Sequence, residues 1–566
     1  MLAVCGAFYT VFIARCLFLV NGTLYTTLFD DAMISMRYGR NLAEGAGLVW
    51  NPGQAAVQGF TNPAWTLIMA GVHAAGVPPR LASLVMMVLG AVLLLWATAE
   101  TFRLAVLITE DDDVAVVAAA STGTAYALVF WTLRGMEVGL VAALIAVAAS
   151  RSIAYTRHAR PADLFAGAAA LVAAMWTRTD ALVPAVVLLA FVVWASPRSR
   201  PASLTVACLS LTLGVGAPLV FSRWYYGDAL PNTYYLKLGG VSLRDRIGRG
   251  LPALFVLGIR GLAASLLPAA ALFASATRAR QRLVRELALM AALVAAQCAY
   301  SVSVGGDAWE WMGYANRYIA IAIPPLAVLA AAGIGALLRL PHARSWATAG
   351  ALTLLVLQIA LTLYLLRSNR AIDADAVRLY QRHAAWMVGG LTGAGLIVAA
   401  AATIAARRRS VVLLGAIVWL LANGAPMSRW AAQNAFAAAD DERAVRTGLL
   451  IRDTLAPDAT FAVSSAGSTP YFAARTTVDL LGKSDPVIAR IAPVIAEFVP
   501  GHNKWDLRYS IGQWRPDLAC NLPRRPGETA YLEAQGYHPV GGTCFVRTGA
   551  RLDERRLAAG LAALYP

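Results

Sequence analysis

The sequence predicts a polytopic α-helical membrane protein of about thirteen transmembrane helices (range eleven to thirteen), with a small C-terminal extracytoplasmic α/β domain. Three observations carry this. Of 566 residues, 58% are hydrophobic and only 14% charged, against about a quarter charged in soluble domains. The apolar residues fall in runs of about 20, the length that crosses a hydrocarbon core. Residues 431–566, by contrast, return to an ordinary soluble composition. A soluble globular enzyme is excluded by a mean hydropathy of +0.59. A disordered chain is excluded because such chains are polar and charge-rich.

The first run, 1–20, lacks the basic stretch and small-residue cleavage site of a signal peptide and reads as the first span. Further spans are expected at 81–108, 113–130, 136–154, 162–177, 180–195, 203–223, 251–275, 286–304, 318–338, 346–366, 385–406 and 410–430. The chain has 45 Arg and 3 Lys and a net charge of +16. Loops 151–161, 196–202, 276–285, 339–345 and 407–409 hold clustered arginines. They are alternate loops, so they share one side, which the positive-inside rule makes cytoplasmic. The acidic stretch Glu110 to Asp113 dissents, but acidic residues count little in that rule. The N-terminus is then cytoplasmic and 431–566 extracytoplasmic. Nucleic-acid binding would need a basic stripe on a soluble surface, and none is visible.

Residues 431–566 alternate a helical pattern (438–455), a strand (461–464), a turn at Gly467, a strand (476–480) and a helix (485–491), which reads as a small α/β domain packed on the membrane part. Cys5, Cys16, Cys208 and Cys298 lie in apolar runs and read as inert. Cys520 and Cys544 lie in polar sequence and could form a disulfide if that region is outside the cytoplasm. No CxxC or His/Cys cluster suggests a metal site.

The cytoplasmic loops are short and featureless, whereas the outer ones, including a first loop at 21–80, are long and varied. Asp30 and Asp31 follow the first span, with Arg37 and Arg40 one or two turns on. Adjacent carboxylates can split their pKa values, leaving one as a base, or can simply cap a helix. Trp65 follows a TNP turn. Arg134 and Glu137 form a second patch, and Arg178 and Asp180 a third. The fourth holds Tyr235 and Lys237, whose compact ammonium suits a phosphate oxygen. The fifth holds Asp307 and Arg317 behind a Gly-Gly pair. Each of these could instead be a neutralising interfacial pair. Together, five polar, aromatic-rich clusters on one side suit sugar and phosphate recognition. No nucleotide motif occurs, so a lipid-linked phosphate donor arriving through the bilayer fits best.

The stretches FDDAMISMRYGRNLAEGAGLVWNPG, TNPAWT, RGMEVGL, WTRTDAL, WYYGDALPNTYYLKLGG, GGDAWEWMGYANRY, TPYFAARTTVDLLGKSDPVIAR and PGHNKW run along most of the chain. In them the sequence resembles the GT-C superfamily of membrane glycosyltransferases, and more narrowly its AftB-type branch, the terminal arabinofuranosyltransferases of actinobacterial cell walls. The resemblance implies a transmembrane catalytic domain at 1–430 and a soluble domain at 431–566 that could bind glycan. It implies a multi-pass protein of the bacterial inner membrane that moves a sugar from a polyprenyl-phosphate donor to a cell-envelope polysaccharide. Asp30 or Asp31 would lie near the acceptor hydroxyl, and Lys237 and Arg317 would hold the donor phosphate. Lys483, Asp485, His502 and Lys504 would face the membrane part or a glycan. No cofactor is required. A divalent metal could sit at Asp30 and Asp31, but two cationic side chains make it dispensable for a monophosphate. Two rival readings are a lipid-linked glycan flippase, which predicts inverted repeats, and a non-catalytic glycan-binding regulator, which would tolerate loss of Asp30 and Asp31.

Overall fold

The computed structural model describes residues 1–196, 199–257, 281–310, 315–337, 438–494, 498–523 and 527–565, with single residues between 419 and 430. The spans expected at 346–366, 385–406 and 410–430, and most of that at 251–275, fall wholly or largely outside them. So do loops 339–345, 367–384 and 407–409.

The expected first span is in fact helix α1, Leu2–Ala14, followed by a hairpin of β1 (Phe18–Val20) and β2 (Thr23–Tyr25). The cause is Asn21–Gly22. Both residues have positive φ, 50° and 76°, which is the two-residue turn that Asn-Gly favours between antiparallel strands. Val20 pairs with Thr23 across it.

Helix α2, Asp30–Ala43, carries both aspartates in its first turn, where the helix dipole favours negative charge. Pro63 opens α3, Pro63–Ala74, at the position where its missing N–H costs nothing. Helix α4, Pro79–Thr109, is the longest among the described residues. The acidic stretch after it is a helix start: Asp111 accepts from the N–H groups of Asp113 and Val114 and caps α5, Asp112–Gly123.

Helix α6, Tyr126–Leu133, continues α5 at a 46° bend. The turn into α7, Val138–His158, passes through Gly135 at φ 89°. There a Cβ would strike the Leu28 side chain at 2.5 Å, so glycine is required. Helices α8 (Pro161–Thr177) and α9 (Leu182–Ala195) meet at a tight turn. Helix α10 (Arg200–Leu211) runs through a π-turn into α11 (Ala217–Tyr226). Then come α12 (Asn232–Leu238) and α13 (Leu243–Leu257). Helices Gln281–Ser303 and Ile323–Leu337 complete the described bundle.

Among the described residues four helices are long and apolar enough to cross a membrane: Pro79–Thr109, Val138–His158, Arg200–Tyr226 and Gln281–Ser303, with the bent α5–α6 pair a fifth. Leu2–Ala14, Pro161–Thr177, Thr179–Ala195 and Ile323–Ala336 are shorter apolar helices. These lengths and compositions fit a polytopic membrane protein, but not all of the thirteen expected spans have full-length helices behind them. Cys208, expected to be inert within an apolar run, is exposed on α10.

The C-terminal domain is a five-stranded mixed sheet in the order β4-β3-β5-β7-β6. Its strands are β3 (Thr460–Val463), β4 (Thr476–Asp479), β5 (Leu518–Cys520), β6 (Tyr537–Val540) and β7 (Cys544–Arg547). The pairs β3–β4 and β3–β5 are parallel, and β7 is antiparallel to its neighbours. Side chains alternate across β3. Phe461 and Val463 enter one core with Ile451 and Leu557, from the helices Ala438–Thr454 and Glu554–Leu564. Ala462 enters a second core with Trp505 and Phe545.

Cys520 and Cys544 are opposite one another on β5 and β7 and form a disulfide. Closing a loop of 24 residues stabilises a chain by about 3 kcal/mol. Cys520→Ser should lower the thermal midpoint of the C-terminal domain, and reductant should do the same to the native protein. Equal midpoints with and without reductant would show that the bridge adds no stability.

Candidate active site

The five patches meet at one end of the helical bundle, under the C-terminal domain. Helix α2 sets the frame. The Phe29 N–H donates to the Arg134 carbonyl at 2.8 Å, and the Trp65 indole N–H donates to the Gly135 carbonyl at 2.9 Å. The α6–α7 turn therefore braces the start of α2.

Asp30 and Asp31 then separate by helical phase, since successive residues point about 100° apart. Asp30 turns toward the C-terminal domain, where its Oδ1 accepts from the N–H groups of Gly467 (3.2 Å) and Ser468 (2.9 Å). Burial raises its pKa, outweighing the pull of Lys483 and these N–H groups. Asp31 turns into a cavity of about 360 Å³. Its Oδ1 accepts from Lys483 Nζ at 2.5 Å and its Oδ2 from Arg317 Nη1 at 2.8 Å. Burial opposes ionisation there, yet Lys483, Arg317 and Lys237 hold the carboxyl well below the ordinary carboxylate range.

Arg317 is itself buried. Its Nε lies 3.1 Å from Asp307 Oδ2, and its guanidinium stands 5.2 Å from the centre of the Trp131 ring. Asp307 is thus a supporting carboxylate behind Arg317, not part of the cavity lining. Lys237 lines the cavity from α12 and donates to the Tyr318 hydroxyl at 3.4 Å.

Arg178, Glu137 and Asp180 line the same cavity. Arg178 donates to both oxygens of Asp180 at 2.6 and 2.9 Å and to Glu137 Oε1 at 3.1 Å. Asn62, which a search for charged pairs passes over, donates to Glu137 Oε2 at 2.9 Å and accepts from the Ser35 hydroxyl at 2.9 Å. Its signal was the TNP turn that starts α3.

Other expected site residues have different posts. Arg37 is buried away from the cavity, where it donates to the carbonyls of Trp50, Pro470 and Arg475 and to the Asn51 side chain. Arg40 donates to the Tyr471 carbonyl at 2.9 Å. Arg134 pairs with Asp441 at 2.6 Å. All three tie the membrane part to the C-terminal domain. Trp65 packs in the bundle core. Tyr235 donates to Asp228 Oδ1 at 2.9 Å under the Arg490 guanidinium.

Of the four C-terminal residues, only Lys483 enters the cavity lining. Asp485 caps the helix Pro486–Arg490, accepting from Val487 and Ile488 N–H. Lys504 is fully buried and donates to the carbonyls of Tyr235 (2.9 Å) and Ala489 (2.8 Å). The His502 ring meets the Trp309 ring edge-on. Burial first, and then Lys483, push its pKa down to about 4, so it is neutral at neutral pH. Lys504 and His502 thus pack against the membrane part, and Asp485 holds a helix within its own domain. Lys483, Asp485 and Lys504 are too buried for a glycan on the outer surface of the domain to reach. Among the described residues no three His, Cys, Asp or Glu side chains converge as a metal-ligand set.

One wall of the cavity is apolar. Val215, Pro218 and Leu219 supply it from the π-turn and α11, and Leu230 and Leu236 from the α12 region. The opposite face of α11 leaves Val220 and Trp224 exposed, as on a helix surrounded by lipid. The site can therefore take an amphiphile: an anionic head among Lys237, Arg317 and Lys483, and a hydrocarbon tail along α11.

Residues 428–556 match a family described as a domain of unknown function (DUF8728). No curated protein matches the chain. Among solved structures, ArnT from Cupriavidus metallidurans in the apo state is similar at a TM-score of 0.58 and 14% identity, over 96% of this chain and 97% of that one. The same protein bound to undecaprenyl phosphate is similar at a TM-score of 0.57 and 16% identity, over 96% of each chain. The chain thus shares the ArnT fold along nearly its whole length. At 14% and 16% identity this likeness is one of fold.

Proposed function

We propose that the protein is a multi-pass glycosyltransferase of the bacterial inner membrane that moves a sugar from a polyprenyl-phosphate donor to a cell-envelope polysaccharide. The N-terminus is cytoplasmic and the C-terminal domain extracytoplasmic. The sugar is arabinofuranose, as the AftB-type resemblance implies. The observation that supports this best is one cavity with a carboxylate among three cations at one end and an apolar wall on an outward-facing helix at the other. A solved protein of the same fold binds undecaprenyl phosphate.

In the reaction, the acceptor hydroxyl oxygen attacks the anomeric carbon. The bond from that carbon to the phosphate oxygen breaks, and its electron pair leaves with polyprenyl phosphate. The hydroxyl proton passes to Asp31. Lys237 and Arg317 stabilise the charge that develops on the phosphate. Asp31 is a weak base while Lys483 and Arg317 hold it. An arriving phosphate competes for the same cations and so raises its basicity.

The test is a cell-free assay of the purified chain with labelled polyprenyl-phosphate sugars, comparing arabinofuranose with other donors. Transfer with one donor is expected. Lys237→Met should raise the donor KM about tenfold to a hundredfold, the equivalent of a charged hydrogen bond of roughly 1.5–3 kcal/mol. No turnover with any donor would overturn the transferase reading, and turnover with another sugar alone would overturn arabinofuranose.

A further inference from the structure

We propose that the C-terminal domain is one half of the active site: its Lys483 is a third cation for the leaving phosphate, and Asn232 is the positioning residue that sets Lys483 against Lys237. This rests on the transferase reading above and assigns a role to a domain described only as of unknown function.

Lysine is almost never buried unless it is paired, and Lys483 is buried with its ammonium on Asp31 in the cavity wall. Docking does not require it there, because Arg37, Arg40 and the Arg134–Asp441 pair already hold the domain.

The loop that carries Lys483 is built to aim it. Asp479 accepts from the N–H groups of Leu481 (3.1 Å), Gly482 (3.2 Å) and Ser484 (2.7 Å). Gly482 takes φ 78°, and a Cβ there would strike Ile488 and the Ala489 nitrogen at 2.7 and 2.8 Å.

From the other side, the Asn232 amide is placed to donate to the carbonyls of Gly482 (2.8 Å), Lys483 (3.2 Å) and Asp485 (3.0 Å). Its Oδ1 accepts from Arg490 at 3.1 Å, and its backbone N–H donates to the Gln58 carbonyl at 2.9 Å. Asn232 opens α12, the helix that carries Lys237. One residue therefore joins the first loop, the Lys237 helix and the Lys483 loop.

The chemistry calls for such a cation. A sugar polyprenyl phosphate is a phosphodiester with one negative charge, and the departing monoester gains a second as the bond to carbon breaks. A cation that meets this second charge acts in the transition state, so its loss lowers kcat more than it raises KM.

The test uses the whole detergent-solubilised chain with its labelled donor, reading kcat, KM and thermal midpoint. Lys483→Met should lower kcat by about 10²–10³-fold, the cost of losing one transition-state donor, with donor KM changed far less. Lys483→Arg should recover part of that loss. Asn232→Asp keeps the size of the side chain and its Arg490 contact but removes the donors to the Lys483 loop. It should lower the midpoint, since buried carbonyls lose their donor, and in the still-folded chain lower kcat at least about tenfold with donor KM changed far less. Arg446→Ala, which cuts an interdomain contact to the Leu19 carbonyl far from the cavity, should leave kcat unchanged. An active native chain with unchanged kcat in Lys483→Met overturns the proposal and leaves the transferase reading standing. If Lys483→Met does not fold, unchanged kcat in Asn232→Asp overturns it instead. An inactive native chain defeats the transferase reading itself, and this proposal with it.

Discussion

Asp31→Asn should nearly abolish transfer, lowering kcat by about 10²–10⁴-fold, the usual contribution of a positioned general base. Asp30→Asn should stay within about tenfold of the native chain. The two residues are adjacent and chemically identical, so the contrast tests geometry alone. An asparagine at 30 keeps an oxygen to accept from Gly467 and Ser468 and loses only the charge assistance. An asparagine at 31 cannot accept a proton and leaves Lys483 and Arg317 without their shared counter-charge.

The pH profile carries a second signature. Since kcat/KM reports the free enzyme, and its cations hold Asp31 below the ordinary carboxylate range, the acid limb of kcat/KM should lie below about pH 4. The limb of kcat should lie higher, because bound phosphate shares those cations. The stability contribution follows the same sign. It is fully present above the unfolded carboxyl value of about 3.9 and fades only as pH falls through the lower folded value. Equal activities for Asp30→Asn and Asp31→Asn would remove the basis for assigning the base to Asp31.

The largest stability loss should come from Arg37→Met, at about 3–5 kcal/mol, because several buried hydrogen bonds from a charged donor, each worth about 1.5–3 kcal/mol, are lost together. Arg37 is 2% exposed, and its guanidinium serves acceptors on both sides of the domain junction: Trp50 and Asn51 in the first loop, and Pro470, Arg475 and Thr477 in the C-terminal domain. Methionine fills much of the volume and satisfies none of them. Denaturant unfolding of the purified chain, with protease release of the C-terminal domain as a second probe, measures the effect. A loss under about 0.5 kcal/mol, typical of a surface change, would mean that these bonds do not hold the junction.

Much of the fold is legible because hydrophobicity and capping are local properties. The run 81–108 appears as Pro79–Thr109 and 438–455 as Ala438–Thr454. The Cys520 and Cys544 neighbourhoods are strand ends joined by a disulfide. The hairpin at Asn21–Gly22 was written just as locally, but an apolar run spanning 1–20 masks a turn placed at its end. The acidic stretch at 110–113 likewise looks like a topology exception until Asp111 is seen capping α5.

The site is less legible. Composition and order pick out Asp31, Lys237 and Arg317 as reactive residue types at one end of the bundle. They equally pick out Arg37 and Arg134, which the structure spends on domain contacts, because an arginine that binds a ligand and one that binds a carbonyl look alike in sequence.

What the chain's order of residues determined is the membrane character, the small sheet domain and the kinds of side chain gathered between them, since each depends on neighbours a few residues away. Tertiary structure alone decided which carboxylate enters the cavity and which clasps the C-terminal domain. It also brought Lys483 to Asp31 across 452 positions of sequence. Helical phase and long-range packing made those choices, because the partners that fix them are distant in the chain.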